Sequence, residues 1–495
     1  MSTFTPSKYQ KVIKIYQQKG KGNAVIDAVA GSGKSTTIVN LVKDIPANKS
    51  VLFLAFNKAI VEELKIKIGN QPNIEVKTLH SLGATAIMRA FHPQIQEDKY
   101  RAWVNNGFKC GMIRPTVILN REEESEYKQN IVKLIDLGRV NLVQNRTQLE
   151  DLAIKHNLDL YNGECGYALE GIAWGESQTD TIDFTDMIYF PNVKRIKMPL
   201  YDWVLIDECQ DLNAAQREMF LKCVKPNGRF IAVGDPRQAI YGFAGADVES
   251  FNILKSLPNT VKLPLSVCYR CDEEIIKLAK AIVPQIECKP GAGKGMVNYQ
   301  AKVAEVVDGD MILCRVTSPL VQLCMRYIAN GVRAYVKGKD IGVNLINMIK
   351  KTKQTQIADA EIKLRRELSR IIGKVVSKSG CTEAEAKESD LYRAYEDKLH
   401  VIEVLAEGLV TCQEVIDRIE AIFKDDNKSG ICLSTIHKSK GLESDRVFVL
   451  CPDKLYLKSC MKVAWMAEQE RNLEYVMITR AKHYLGYIDD FESKH

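Results

Sequence analysis

The chain opens on a helical period over residues 7–18. A short apolar strand at 24–26, a Gly-rich turn and a second helix over 34–42 follow. Residues 51–55, Val-Leu-Phe-Leu-Ala, are apolar at every position, as a strand buried on both faces would be, and a helix over 59–68 comes after them. Strands alternating with helices predict a parallel, doubly wound sheet. From about residue 90 to 180 the pattern is charged, helical in period and without strong strands, which predicts an inserted helical subdomain. Strands return at 203–206 and 230–233. A second α/β stretch begins near residue 310, with a strand at 311–314 and a helix at 319–329. It gives way to helical pattern over 343–426 and resumes at 431, with a buried strand at 447–450. The expected fold class is therefore α/β: two parallel-sheet cores, each with a mainly helical insertion.

Composition narrows the function only a little. A length of 495 residues suits about three or four domains, or fewer carrying insertions. With 46% apolar and 26% charged residues, disordered and collagen-like chains are excluded. The longest apolar run, about residues 51–56, is far below the roughly 20 residues of a membrane helix, so no membrane partner is expected. Residues 1–10 carry no apolar run and no small-residue cleavage site, so a cytoplasmic location is expected. The net charge of +7 is compatible with a polyanionic partner without demanding one. Scattered cysteines in apolar stretches, such as Cys314, Cys324 and Cys432, predict reduced thiols. Cys268 and Cys271 have zinc-like spacing, but no second pair completes a tetrahedral site, and they read as ordinary thiols.

Chemistry concentrates first at residues 28–35. Ala28, Val29, Ala30, Gly31, Ser32, Gly33, Lys34 and Ser35 follow a strand and open a helix, which fits a phosphate-binding loop with Ala28 in place of the usual first Gly. Small residues let backbone N–H groups turn inward around phosphates, and the helix N-terminus adds positive potential. Lys34 can reach the β- and γ-phosphates, and Ser35 can hold Mg²⁺. Val204-Leu205-Ile206-Asp207-Glu208 then puts two carboxylates at the end of a buried strand. Asp207 suits Mg²⁺, directly or through water, and Glu208 suits orienting or deprotonating the attacking water.

Further segments resemble a family. Residues 206–211, Ile-Asp-Glu-Cys-Gln-Asp, resemble the DExxQD signature of superfamily 1 DNA helicases of the UvrD/Rep/PcrA type. Residues 233–243, Val-Gly-Asp-Pro-Arg-Gln-Ala-Ile-Tyr-Gly-Phe, resemble their motif III, and residues 265–270, Leu-Ser-Val-Cys-Tyr-Arg, their motif IV. Ser434-Thr435-Ile436-His437-Lys438-Ser439-Lys440-Gly441-Leu442-Glu443 looks like motif V, and residues 472–481 look like motif VI. Residues 55–59 and 78–81 resemble motifs Ia and Ib, and Gln10 stands where the adenine-reading glutamine belongs. The order is the family's and the span nearly the whole chain.

The resemblance implies two RecA-like domains, with ATP in the cleft and single-stranded DNA across the top. Domain 1A would take residues 1–89 and 183–265, insertion 1B 90–182, domain 2A 266–342 and 429–495, and insertion 2B 343–428. The second insertion is short for the family and the chain ends soon after motif VI, as in a compact version such as a phage or mobile element carries. The resemblance also implies site roles. Lys34, Asp207, Glu208, Gln238, Arg270 and Arg480 would be catalytic, with Gln238 sensing the γ-phosphate and the two arginines contacting it. Gln10, residues 28–35, Thr36, Tyr269 and Glu443 would bind ATP, with Ser35 and Asp207 on Mg²⁺. Phe56, Asn57, Thr78, His80, Tyr241, Phe243 and His437 would follow the DNA strand. Motif III departs from the family at Phe243, where a Trp is usual, and at Ala244, where an Arg is usual. Phe243 therefore reads as a stacking ring or as core.

The implied activity is ATP-dependent DNA unwinding and translocation, with 3′→5′ movement, in replication, recombination or repair. Single-stranded DNA, duplex junctions and replication or nuclease proteins are the implied partners. Two other readings stay open: the motor subunit of a helicase-nuclease or defence complex, and an ATPase acting on RNA. A basic segment, with Lys350, Lys351, Lys353, Lys363, Arg365, Arg366, Arg370, Lys374 and Lys378, reads either as a solvated helix face or as a duplex-phosphate contact.

Overall fold

In the computed structural model, which describes residues 6–116, 118–156, 158, 160–240, 249–423, 429–456, 464–489 and 491, the chain divides into two units, Met1–Ser266 and Val267–His495. The first unit begins α1 (Lys8–Lys19), β1 (Asn23–Ala28), α2 (Lys34–Lys43), β2 (Val51–Ala55), α3 (Lys58–Ile68), β3 (Ile74–Thr78) and α4 (Leu79–Phe91). It continues through β4 (Gln94–Ile95), α5 (Lys99–Cys110), α6 (Arg121–Val140), α7 (Arg146–Lys155), α8 (Glu164–Ser177), β5 (Thr181–Ile182) and α9 (Asp186–Val193). It closes with β6 (Tyr201–Ile206), α10 (Ala214–Leu221), β7 (Val224–Gly234), α11 (Ser250–Ser256) and β8 (Thr260–Leu265).

Its six-stranded sheet has the order β3-β2-β6-β7-β1-β8, with every pairing parallel. Alternate residues of β1 serve two cores. Ala24, Ile26 and Ala28 pack with Ile38, Val42 and Phe53, while Val25 packs with Leu52, Val204 and Phe230. The long loops at the carboxyl ends of the strands are where an open parallel sheet binds its ligands.

The helices between α4 and α9 have a core of their own, including Trp103, Tyr127, Ile131 and Ile172. A largely buried charge network ties this insertion to the start of α9. Lys99 Nζ lies 2.8 Å from Asp186, and Arg139 Nη1 lies 2.8 Å from both Asp183 and Asp186.

The second unit runs β9 (Val267–Cys268), α12 (Glu273–Ala279), β10 (Glu287–Cys288), β11 (Met296–Asn298), β12 (Met311–Cys314), α13 (Ser318–Ala329), β13 (Ala334–Lys337) and α14 (Lys339–Thr352). Then come α15 (Ile357–Ser379), α16 (Glu383–Lys387), α17 (Asp390–Ala406), α18 (Cys412–Ile422), β14 (Ile431–Thr435), β15 (Ser444–Leu450), α19 (Ala464–Ile478) and β16 (Ala481–Ile488). Its sheet, β11-β16-β15-β12-β14-β13, is also parallel throughout.

The helices α14–α18 share the core of this sheet. Ile312 and Leu433 of the strands, Leu320 of α13, and Leu345, Leu399, Ile402 and Val415 of the inserted helices form one cluster. Asp397 of α17 accepts the Thr317 and Ser318 N–H groups at 3.0 and 2.8 Å, covering the start of α13. Among the described residues, no helix is long and apolar enough to cross a membrane.

Candidate nucleotide site and nucleic-acid face

The phosphate loop joins β1 to α2. Gly31 and Gly33 have φ of 63° and 76°, the left-handed region where a Cβ is strained. Ala28 ends β1 and is not among the described residues with positive φ, so its methyl group is tolerated where a Gly was expected. Gly33 caps α2 with no side-chain hydrogen bond, which leaves the positive helix end to the loop. Ser32 is wholly buried and its Oγ has no hydrogen-bond partner, a polar atom turned into the loop. Thr36, one turn on, is exposed.

Lys34 and the two carboxylates meet at the ends of β1 and β6. Lys34 Nζ lies 3.1 Å from Glu208 Oε1, and Ser35 Oγ donates to Asp207 Oδ2 at 3.3 Å. Burial pulls the Lys34 ammonium down, but Glu208, Asp235 and Asp207 outweigh it and hold the pKa above the ordinary lysine value. Burial, then the charge of Glu208, pushes the Asp207 carboxyl up to about 6. Glu208 is a non-glycine residue at φ 53°, with its N–H donating to Asp207 Oδ1 at 2.9 Å. Such strain persists where surrounding contacts over-determine it, and it gathers at functional sites.

Gln210 carries the contacts onward. Its Nε2 donates to Glu208, and its Oε1 accepts the Asp235 N–H at 3.0 Å. A Cβ on Gly234 would lie 2.4 Å from that Oε1, so the approach requires glycine there. Gln238 Nε2 donates to Asp235 Oδ2 at 2.9 Å. Gln10 lies against the loop, but both amide atoms are engaged within the protein. Its Nε2 donates to Thr37 Oγ1 at 3.0 Å and its Oε1 accepts the Ser7 N–H at 2.9 Å.

The residues of this unit expected on DNA share the carboxyl edge of the sheet. β2 and β3 are neighbours with Ala55 opposite Thr78, so Phe56 and Asn57 stand beside Thr78 and His80. Phe56 is half exposed. Asn57 Oδ1 caps α3 through the Ile60 N–H at 2.9 Å, and Thr78 Oγ1 caps α4 through the Ser81 N–H at 3.1 Å. Burial lowers the His80 pKa, so its ring is neutral at pH 7. Beyond it an open groove of about 500 Å³ runs along α4, lined by Ser81, Ala84, Thr85, Met88, Arg89 and His92. Tyr241 and Phe243 lie outside the described residues.

In the second unit, residues expected on nucleotide and on DNA separate to opposite ends of the sheet. Arg270 Nε donates to Glu443 Oε2 at 2.7 Å and Nη1 to the Thr479 carbonyl at 2.9 Å. Burial works against the Glu443 charge, but Arg270 and Lys482 lower its pKa. Tyr269 is partly exposed beside them. Arg480, the other arginine expected on the γ-phosphate, lies just before β16. It is 1% exposed, and its guanidinium donates inward to the Val476 and Leu442 carbonyls, both at 2.9 Å. A cation so buried needs such acceptors. His437 follows the carboxyl end of β14, where burial, Arg315 and Lys438 push its pKa down to about 3.

Two family descriptions account for these segments: the UvrD/REP helicase N-terminal domain matches residues 10–258, and the UvrD-like helicase C-terminal domain matches residues 344–489. The chain belongs to the UvrD/REP helicase family. It is similar to F-box DNA helicase protein 1 of Schizosaccharomyces pombe, 24% identical over 93% of this chain and 55% of that protein. It is also similar to ATP-dependent DNA helicase Rep of Buchnera aphidicola subsp. Schizaphis graminum, 25% identical over 53% of this chain and 42% of that protein. ATP-dependent DNA helicase PcrA of Staphylococcus aureus is 23% identical over 53% of this chain and 38% of its own length. The chain thus spans about half the length of the relatives it matches.

Some residues that build the site in this UvrD/REP family member escaped sequence reasoning. Gln210, Asp235 and Arg237 lie inside quoted motifs, yet nothing in their spacing says that they bond to one another. Arg315 pairs with Glu470 at 2.8 Å, next to His437, through a contact 155 positions long that no local pattern could announce.

Proposed function

We propose that this protein is an ATP-dependent DNA helicase, which couples ATP hydrolysis to 3′→5′ movement on single-stranded DNA and to duplex unwinding. One observation carries the reading: Lys34, Ser35, Asp207 and Glu208 converge at the mouth of a glycine loop that opens a helix. Without nucleotide, Glu208 is the counter-charge of Lys34. A triphosphate brings oxygens that compete for the ammonium, and Glu208 is then released to take a proton from the attacking water. Gln238, held by Asp235, faces the same mouth. In the second unit, Arg270 is a partly exposed cation paired with Glu443. Arg480 supports Leu442, and through it Glu443.

The donor set also fits Mg²⁺. A serine hydroxyl beside a carboxylate offers hard oxygens, and the Asp207 carboxyl, raised first by burial and then by Glu208, is a buried acid that a bound cation would hold ionised. Ser35 and Asp207 would hold the ion, which neutralises phosphate charge when bound. For DNA, exposed Phe56 offers a stacking ring, and Asn57, Thr78 and His80 offer polar contacts at the same edge, the arrangement that suits sequence-tolerant single-strand binding.

The RNA reading and the DNA reading part in one experiment. ATP hydrolysis is expected to rise severalfold with single-stranded DNA and much less with RNA of the same sequence. Stimulation by RNA alone would overturn the assignment.

A further inference from the structure

Asp235 ends the turn after β7 with its side chain completely buried. Oδ2 accepts the Gln238 amide, while Oδ1 accepts the Arg237 backbone N–H at 3.1 Å and lies 3.2 Å from Arg237 Nε. The same guanidinium reaches β1, where Nη2 lies 2.8 Å from Asp27 Oδ1. Lys262 of β8 takes the other Asp27 oxygen at 2.7 Å. Asp27 is the residue before Ala28, and it stands opposite Gly234 in β7 and Pro264 in β8. Three neighbouring strands are thus tied together at the root of the phosphate loop.

We propose that Arg237 is a positioning residue for ATP hydrolysis: it holds Asp235 in the state that orients the Gln238 amide, and it locks that amide to the strand carrying the phosphate loop. The proposal rests on the reading of residues 28–35 as an ATP site, and no resemblance assigns Arg237 a role.

The physical reason is charge. Burial pushes the Asp235 carboxyl up, and Arg237, then Lys34, hold it down. The groups facing it are Arg237 and Gln238 from its own turn, Lys34 from α2 and the Gln210 amide. Asp207 and Glu208 compete for Lys34. When phosphate takes up the ammonium, Arg237 is the remaining cation on Asp235. Without it the buried carboxyl takes a proton more readily, and a proton at Oδ2 stands where the Gln238 amide donates and weakens that contact. The sign follows: the active form is ionised, so loss of Arg237 raises the pKa, and activity falls as pH is lowered.

The test compares wild type, Arg237→Gln, Arg237→Lys and Lys34→Ala by steady-state ATP turnover against ATP concentration and pH, with melting temperatures. Arg237→Gln is expected to lower kcat by about 10- to 100-fold, the scale of a small misplacement, with KM changed by less than about threefold. Its kcat should climb with pH where wild type is flat, and Arg237→Lys should recover most of the loss. A normal kcat in Arg237→Gln, a change confined to KM, or a flat pH profile without rescue by lysine would overturn the inference. If wild type has no turnover that depends on Lys34, the ATP-site reading itself fails and Arg237 falls with it. An active wild type beside an unaffected Arg237→Gln overturns only the positioning role.

Discussion

Lys34→Ala is expected to abolish DNA-stimulated ATP hydrolysis. The ammonium lies at the loop mouth 3.1 Å from Glu208, just past the end of β6, and three carboxylates raise its pKa. Removing a pre-aimed donor to transition-state charge typically costs about 10²–10³-fold in kcat, or roughly 3–4 kcal/mol. The variant also leaves Glu208 without the ammonium beside it, so the position of that carboxylate is disturbed as well. Phosphate release at saturating ATP and DNA measures the effect, with circular dichroism to verify the fold. Turnover near the wild-type rate in a folded variant would remove Lys34 from the chemistry.

Asp186→Ala is expected to cost about 3–5 kcal/mol of stability, the usual effect of leaving a buried charge without its partner. Lys99, Arg139 and Asp186 have no exposed side-chain surface. Asp186 Oδ2 lies 2.8 Å from Lys99 Nζ, and Oδ1 accepts from Arg139 Nη1 at 2.8 Å and from the Tyr100 hydroxyl at 2.9 Å. The Arg139 guanidinium is also 3.8 Å above the Tyr100 ring. Deleting the carboxylate leaves Lys99 with only the Gly175 and Thr181 carbonyls, with no counter-charge, while Arg139 keeps Asp183 and Asp136. A melting transition of the first unit lowered by roughly 10 °C is the expected reading. A shift under about 2 °C would mean that water or another acceptor satisfies Lys99 and Arg139, contrary to the packing described.

How much was legible in the chain follows from how local the physics is. The phosphate loop was readable because strand, glycines, Lys34 and Ser35 are contiguous. β2 and β6 were readable because a strand buried on both faces is apolar at nearly every position. β3, Ile-Glu-Val-Lys-Thr, lies at the sheet edge with only Val76 fully buried, and its mixed polarity hid it. β16 was hidden in the same way, with Lys482 and Tyr484 only partly buried and His483 exposed among its apolar residues. The helical period of residues 343–426 was plain. That Leu399 and Ile402 share a core with Ile312 depends on tertiary packing that no period encodes. The basic segment reads as a solvated helix face or a duplex-phosphate contact, and its local pattern does not show that Arg365 pairs with Glu403 at 2.7 Å and Arg370 with Glu367 at 3.3 Å. At Arg480 the motif supplies the residue type, while carbonyls 4 and 38 positions away set the direction of its side chain.

Strand separation tests the central claim most directly. A labelled DNA duplex with a 3′ tail, one with a 5′ tail and one with blunt ends are each mixed with the protein, ATP and Mg²⁺, and the release of the labelled strand is followed. The account predicts ATP-dependent release from the 3′-tailed duplex, little from the other two, and none with Lys34→Ala. Release from the 5′-tailed duplex alone would reverse the direction of movement. ATP hydrolysis without release from any tailed DNA would contradict the assignment as a helicase.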